Sequence, residues 1–215
     1  MLDWISRNSE VLNVILSAGM LVIWMTYLHV FVSSYRRQTR PGILINMGAG
    51  EGIESRCLVS NMSSGPIYLL SIALDLEMPE GRLRCPVTEL DGMEEWEMPS
   101  EINLWTRQGP LDSGSVRDMG PFRMLIDHVF RSQPEHWRAA HPDAWDQLRS
   151  FRVEVVAAYG SEDLPVGAAR RFTILRKDGH TVLRPDWASA RQIRSRRQRR
   201  AMQRGLEREL AEIAP

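Results

Sequence analysis

At 215 residues, the chain carries 27 basic and 27 acidic residues and no net charge, so it has no chain-wide basic field of the kind that holds nucleic acid. Its two cysteines, Cys57 and Cys85, lie in no C-x-x-C or zinc-ligand spacing, which excludes a zinc-ribbon framework. Lys177 is the sole lysine among the 27 basic residues, a bias that fits a GC-rich genome better than phosphate chemistry.

The first predicted element is a transmembrane helix over 11–35. That stretch contains no Asp, Glu, Lys or Arg, and Arg36, Arg37 and Arg40 follow at once. Its core, Val11 to Val32, would make a helix about 33 Å long at 1.5 Å per residue, which matches a hydrocarbon layer of about 30 Å. The apolar residues cover every face, unlike the single stripe of a soluble core helix. A cleaved signal peptide fits less well, because the apolar run is long, the preceding residues are barely basic and no A-x-A-like site follows. Arg7 alone precedes the span, balanced by Asp3 and Glu10. The arginine bias therefore predicts a short outer N-terminus (1–10), a basic cytoplasmic linker (36–42) and a cytoplasmic domain. Trp4 and Tyr35 are placed to sit at the two interfaces. Asn13, Ser17, Thr26 and His29 are the polar residues of the span, and Ser and Thr there are expected to bond their own helix.

Past Pro41 and Gly42, short alternating segments predict strands at Ile43–Met47, Glu54–Met62, Ile67–Glu77 and Arg82–Thr88, separated by turn-forming clusters. The Gly48, Gly50, Gly52 loop lacks the following helix that a phosphate loop needs, and reads as a hairpin. An acidic, Pro- and Gly-rich stretch, Glu89 to Gly120, is expected to hold strands near Ile102–Thr106 and Val116–Met119. Phe122, Leu125, Ile126, Val129 and Phe130 have the spacing of one helix face. Ser132-Gln-Pro-Glu135 has the form of a capping box opening a second helix, which Pro142 should kink or divide, and Asp143–Ser150 then extends it as a short turn. Phe151–Tyr159 and Arg170–Arg176 are read as a closing hairpin, with the latter as the last strand. From Asp186 onward the chain is helical in propensity and basic.

The expected fold class is mainly β: the N-terminal transmembrane helix, an antiparallel immunoglobulin-like β-sandwich over 43–183 with a helical insertion at about 121–150, and a basic C-terminal helix over 184–215. Strand parity places Cys57 and Cys85 with apolar neighbours, so both are expected to be buried, reduced thiols in a cytoplasmic domain.

The candidate sites are modest. His128, His136 and His141 lie near Asp127, Glu135 and Asp143, but their spacings of eight and five do not stack two ligands on one helix face, so no metal is expected. No G-x-S-x-G, H-E-x-x-H or Cys–His pattern marks a catalytic set, and no cofactor motif is present. Trp137 and Trp145 are candidate contacts for a partner, with packing on the sandwich as the plain alternative. Arg194, Arg196, Arg197, Arg199 and Arg200 fall within seven positions and are candidates for an anionic leaflet or an acidic protein surface. Nucleic acid lacks support, for no recognition fold or aromatic platform accompanies them.

The segment RRQTRPGILINMGAGEGIESRCLVSNMSSGPI, Arg36 to Ile67, resembles bacterial single-span inner-membrane proteins of uncharacterised activity, with a basic flank and a β-rich cytoplasmic domain. The resemblance implies a place in the cell and no site. The expected function is a non-enzymatic accessory or scaffolding role, binding a partner protein at the cytoplasmic face of the inner membrane. The alternative is a tethered enzyme or small-molecule sensor whose site lies in the helical insertion.

Overall fold

The computed structural model describes residues 9–38, 40–88, 106–160, 162–177 and 180–213, in two compact units, 1–40 and 41–215. In the first unit, α1 (Ser9–Gln38) is one continuous helix of 30 residues. It is long and apolar enough over Asn13–Tyr35 to cross a membrane. Its described apolar side chains are almost all exposed within the protein, so no protein core accounts for their hydrophobicity. Thr26 Oγ1 donates to the Val22 carbonyl at 2.8 Å, which satisfies the hydroxyl inside the helix. The helix runs on through Arg36 and Arg37, where the sequence suggested a linker; cations are favourable in a last turn.

The second unit is mainly antiparallel β. β1 (Ile43–Met47) and β2 (Arg56–Asn61) form a hairpin whose connection includes a 3-10 turn, Gly52–Glu54. β3 (Ile67–Met78) and β4 (Gly81–Pro86) form a second hairpin. β5 (Gly109–Leu111) and β6 (Val116–Pro121) precede three helices, α2 (Phe122–Arg131), α3 (Glu135–Ala140) and α4 (Ala144–Gln147). Then come β7 (Ser150–Tyr159), β8 (Val166–Lys177), β9 (His180–Pro185), β10 (Arg191–Ile193) and a C-terminal helix, α5 (Arg196–Ile213).

Two sheets result. One has the order β1-β2-β6. The other runs β10-β8-β7-β3-β4, with β5 also on β3 and β9 also on β8. The two share one core: Ile43, Ile45, Cys57 and Val59 of the small sheet cluster with Leu74, Leu76, Val153, Val155, Ala168 and Phe172 of the large one. α2 inserts the face that its spacing predicts, with Phe122, Leu125, Ile126 and Val129 fully buried. Phe122 lies 5.3 Å from Phe151 and 4.9 Å from Phe172, ring to ring, so this helix is anchored on two inner strands of the large sheet, β7 and β8.

The small sheet would leave two raw edges, β1 and β6. Buried or half-buried side chains bond to both. Gln192 of β10 acts like a strand backbone toward β1: the Ile43 N–H donates to its Oε1 at 3.1 Å, and its Nε2 donates to the Ile43 carbonyl at 2.6 Å. Beside it, Arg170 of β8 donates from Nη1 to the Ile45 carbonyl and Asn46 Oδ1, both at 2.6 Å, and from Nη2 to the carbonyls of Trp187 and Ala188. On the opposite side Arg107 donates from Nε to the Met119 carbonyl of β6 at 2.9 Å and from Nη1 to the Val87 carbonyl at 2.6 Å. An open edge is a template for unwanted pairing, and these bonds occupy it.

Several expectations need correction. Arg170–Arg176 does pair with Phe151–Tyr159 as a hairpin, but it belongs to a longer strand and is not the last. β9 and β10 follow in tandem along the outer edge of β8, so 184–193 is largely strand and bend, and the helix begins only at Arg196. Pairing to an existing edge outweighs local helical propensity there. The capping box does not form: Ser132 ends α2, its hydroxyl donating to the His128 carbonyl at 2.8 Å, and α3 starts behind Pro134 with no side-chain cap. Pro134, not Ser132, occupies the cap position, and its side chain has no acceptor to offer. The Ile102–Thr106 strand lies outside the described residues except for Thr106, an isolated bridge. Cys57 is buried but Cys85, on the edge strand β4, is only half-buried, and among the described residues neither forms a disulfide.

The glycine loop is a hairpin connection, with Gly48 N–H donating to the Arg56 carbonyl at 2.8 Å. One of its glycines has a tertiary purpose. Gly52 has φ +53°, and a Cβ there would stand 1.8 Å from the Thr181 carbonyl of β9. Only glycine lets the 3-10 turn lie so close to that backbone.

Candidate functional site

Two surfaces collect the residues singled out in the sequence. The first is the helical insertion between β6 and β7. α2 is amphipathic and buries its apolar face. α3 is short and leaves Glu135, His136, Arg138, Ala139 and Ala140 exposed. Trp137 and Trp145 are half-buried and pack against the core. They hold an aromatic stack together: the Phe130 and Trp137 rings lie 6.1 Å apart at 17°, and Trp137 and His141 lie 4.3 Å apart at 12°. Trp145 meets Phe130 edge-on at 5.6 Å, and its indole N–H donates to Asp127 Oδ1 at 2.9 Å. Arg123 lies over the Trp145 ring at 5.6 Å. The tryptophans are thus partly exposed on a braced support, and braced aromatic side chains contribute strongly to a contact.

His141 ties this stack to the β3–β4 turn. Its Nε2 lies 2.8 Å from Glu80 Oε2, and its Nδ1 lies 2.8 Å from the Trp137 carbonyl. Both ring nitrogens face acceptors, so the doubly protonated ring satisfies both. The Glu80 hydrogen bond, first, and the Trp137 carbonyl, second, hold its pKa above the ordinary histidine value. Among the described residues, no group of three or more His, Cys, Asp or Glu is placed to hold a metal ion.

The second surface is α5. Its arginines divide by face. Arg199 turns inward and is only 8% exposed. Its Nη1 donates to Glu162 Oε2 at 2.8 Å and its Nε to the Ile193 carbonyl at 3.3 Å. Met202 is buried one turn on and packs at Gly167, where its Sδ would lie 2.8 Å from a Cβ. Arg194, Arg196, Arg197 and Arg200 remain exposed. Arg197 and Arg200 continue with Arg204 along one side of the helix and, with Leu164, Gln203 and Glu207, line an open cleft of about 630 Å³. Arg40 is exposed as well; the side chains of Arg36 and Arg37 lie outside the description.

Sequence reasoning missed Glu80, Asp127 and Arg123 as supports of the aromatic stack, and Leu164 and Arg204 as walls of the cleft. Only Arg204 carried a signal, since positions 197, 200 and 204 follow the i, i+3, i+7 rule of one helix face. Comparison with protein-family models, curated proteins and solved structures finds no match for this chain.

Proposed function

We propose that this chain is a single-span protein of the bacterial inner membrane whose cytoplasmic domain is a non-enzymatic scaffold, docking a partner protein through the helical insertion. The observation that carries the reading is the half-exposed Trp137–Trp145 surface, braced by Phe130, His141 and Asp127 on a rigid sheet. Rigid, partly buried aromatics beside arginines are what protein contacts favour at their centres. The arginine bias after α1 supports a cytoplasmic domain.

We read the sandwich as immunoglobulin-like. Strands β1, β2 and β6 follow the A, B, E succession of one sheet, and β4, β3, β7 and β8 the C′, C, F, G succession of the other. On that reading the insertion fills the connection between E and F. The arginine and glutamine clamps on the small sheet argue against strand addition at its edges.

A photoreactive residue at Ala139, in membranes of the native host, tests the proposal. The expected result is one discrete crosslinked partner, lost in Trp137→Ala and kept in His136→Ala and His128→Ala. Absence of any discrete product, or a product indifferent to Trp137→Ala when that variant is folded, would overturn it. A fusion of alkaline phosphatase to the C-terminus tests orientation; high phosphatase activity there would contradict a cytoplasmic domain.

A further inference from the structure

We infer that the arginine cleft on α5 binds the phosphate of an anionic phospholipid headgroup in the membrane to which α1 tethers the chain. The inference rests on reading α1 as a span. It does not depend on whether a partner protein docks at the insertion.

The chemistry is that of phosphate recognition. Arg197, Arg200 and Arg204 are exposed and, among the described residues, none forms an ion pair with a carboxylate. They lie on one helix face over seven residues, about 10 Å of axial rise. Guanidinium groups present planar forks of donors that match phosphate oxygens in pairs. Arg204 Nε is engaged with the Arg200 carbonyl at 3.3 Å, which holds that side chain back along the helix and leaves its terminal nitrogens for a ligand. Leu164 adds an apolar wall. Gln203 Nε2 and Glu207 Oε1 bond each other at 3.0 Å, so the one carboxylate of the lining is engaged on its own helix at the far end of the cleft. The helix is held in place from its other side by Arg199–Glu162 and by buried Met202. The three guanidiniums, without an ion-pair partner among the described residues, are therefore a presented surface and not a frayed tail.

Position on the domain selects the source of the phosphate. Gln192, three residues from Ser195, bonds both backbone groups of Ile43, the first residue of β1. The start of α5 and the chain's entry into the domain are thus at the same end of the sandwich. Only residues 39–42 separate α1 from β1. Headgroups are then present at high effective concentration. Each cation at an anionic surface contributes about fivefold to association, and three contribute about 10².

The full-length chain in lipid nanodiscs tests this, with amide hydrogen exchange of 196–208 as the readout. Three preparations are compared: phosphatidylcholine alone, phosphatidylcholine with phosphatidylglycerol, and phosphatidylcholine with added inorganic phosphate. Protection in α5 should rise by up to about 10² with phosphatidylglycerol only. It should disappear in Arg197→Gln/Arg200→Gln/Arg204→Gln and return in large part in the corresponding triple Lys variant. A charge-matched control, Arg82→Gln/Arg131→Gln/Arg138→Gln, should keep it. Unchanged exchange in β3 and β7 certifies that each variant is folded. No dependence on phosphatidylglycerol, or equal loss in the control, overturns the proposal. Protection by inorganic phosphate in neutral discs equally overturns the lipid assignment, in favour of a soluble phosphate ligand. Alkaline carbonate extraction reports on the span separately.

Discussion

Replacing Arg170 with Met would test whether a buried cation closes the β1 edge of the small sheet. The substitution keeps an unbranched stem and deletes the guanidinium, which is 7% exposed as a residue. Two contacts at 2.6 Å, to the Ile45 carbonyl and Asn46 Oδ1, lose their donor, as do two longer ones at 3.2 and 3.3 Å to Ala188 and Trp187. A hydrogen bond from a charged donor contributes about 1.5–3 kcal/mol, so the two short bonds sum to about 3–6 kcal/mol. Deleting the charge returns part of its desolvation cost, which is several kcal/mol for a buried ion. That cost is real here, for burial pushes the Arg170 pKa down and among the described residues no carboxylate compensates. The stranded acceptors then decide the sign, at about 1–3 kcal/mol for each one left buried and unpaired. The net expectation is a loss of about 2–4 kcal/mol, a sizeable fraction of the 5–15 kcal/mol that holds an ordinary domain. For a domain of this size that lowers the unfolding midpoint by about 4–16 °C. Thermal unfolding of the full chain in a mild non-ionic detergent, followed by tryptophan fluorescence, measures it. Exchange of the β1 amides should accelerate before that of β7. A midpoint shift below about 1–2 °C, which corresponds to the roughly 0.5 kcal/mol of an ordinary surface substitution, would refute the clamp. Arg170→Lys should fall between, because one ammonium cannot reach Ile45 and Trp187 together.

Gly52→Ala should cost at least about 1–2 kcal/mol from its left-handed backbone alone, and more from the Thr181 carbonyl that its Cβ would meet; Gly160→Ala, with open space around it, should stay within about 0.5 kcal/mol, and equal effects in urea melts would sink the packing argument. His141→Gln should narrow its gap from wild type as pH rises. The folded pKa of His141 lies above its unfolded value, so its stabilisation is complete below the ordinary histidine range and fades as pH climbs through the raised value; a gap constant from pH 5 to pH 9 would show that Glu80 does not favour the imidazolium. Burial pushes the Cys57 thiol up to about 12, whereas Cys85 is half-buried on an edge strand. Maleimide should therefore label Cys85 first in the folded chain and Cys57 only on unfolding, and faster reaction at Cys57 would contradict the burial.

Local patterns were legible where the residues concerned answer to a one-dimensional rule. The apolar run of α1, the alternation in β1, β3 and β7, and the face of α2 each follow from the period of their element. Mainly antiparallel β between two terminal helices was therefore readable in advance. The candidate surfaces were legible only as residue types. Trp137 and Trp145 were visible, but Glu80, 61 positions from His141, carries no sign of its role.

What the sequence by itself determined about this chain is the element periods: a helix able to cross a membrane, the strand faces and the arginine-rich C-terminal segment. The tertiary structure decided the rest. Residues 184–193 became strand and bend because the edge of β8 offered pairing that a lone segment lacks. Arg199 turned inward while Arg197 and Arg200 stayed out because Glu162 and the Ile193 carbonyl lie on one side of α5 only. Arg170, an unremarkable charge in the sequence, became a buried clamp because two sheets meet around it. Periodicity is a property of neighbours along the chain, while burial and ionic partnership depend on what folding brings from elsewhere, and no local spacing encodes that.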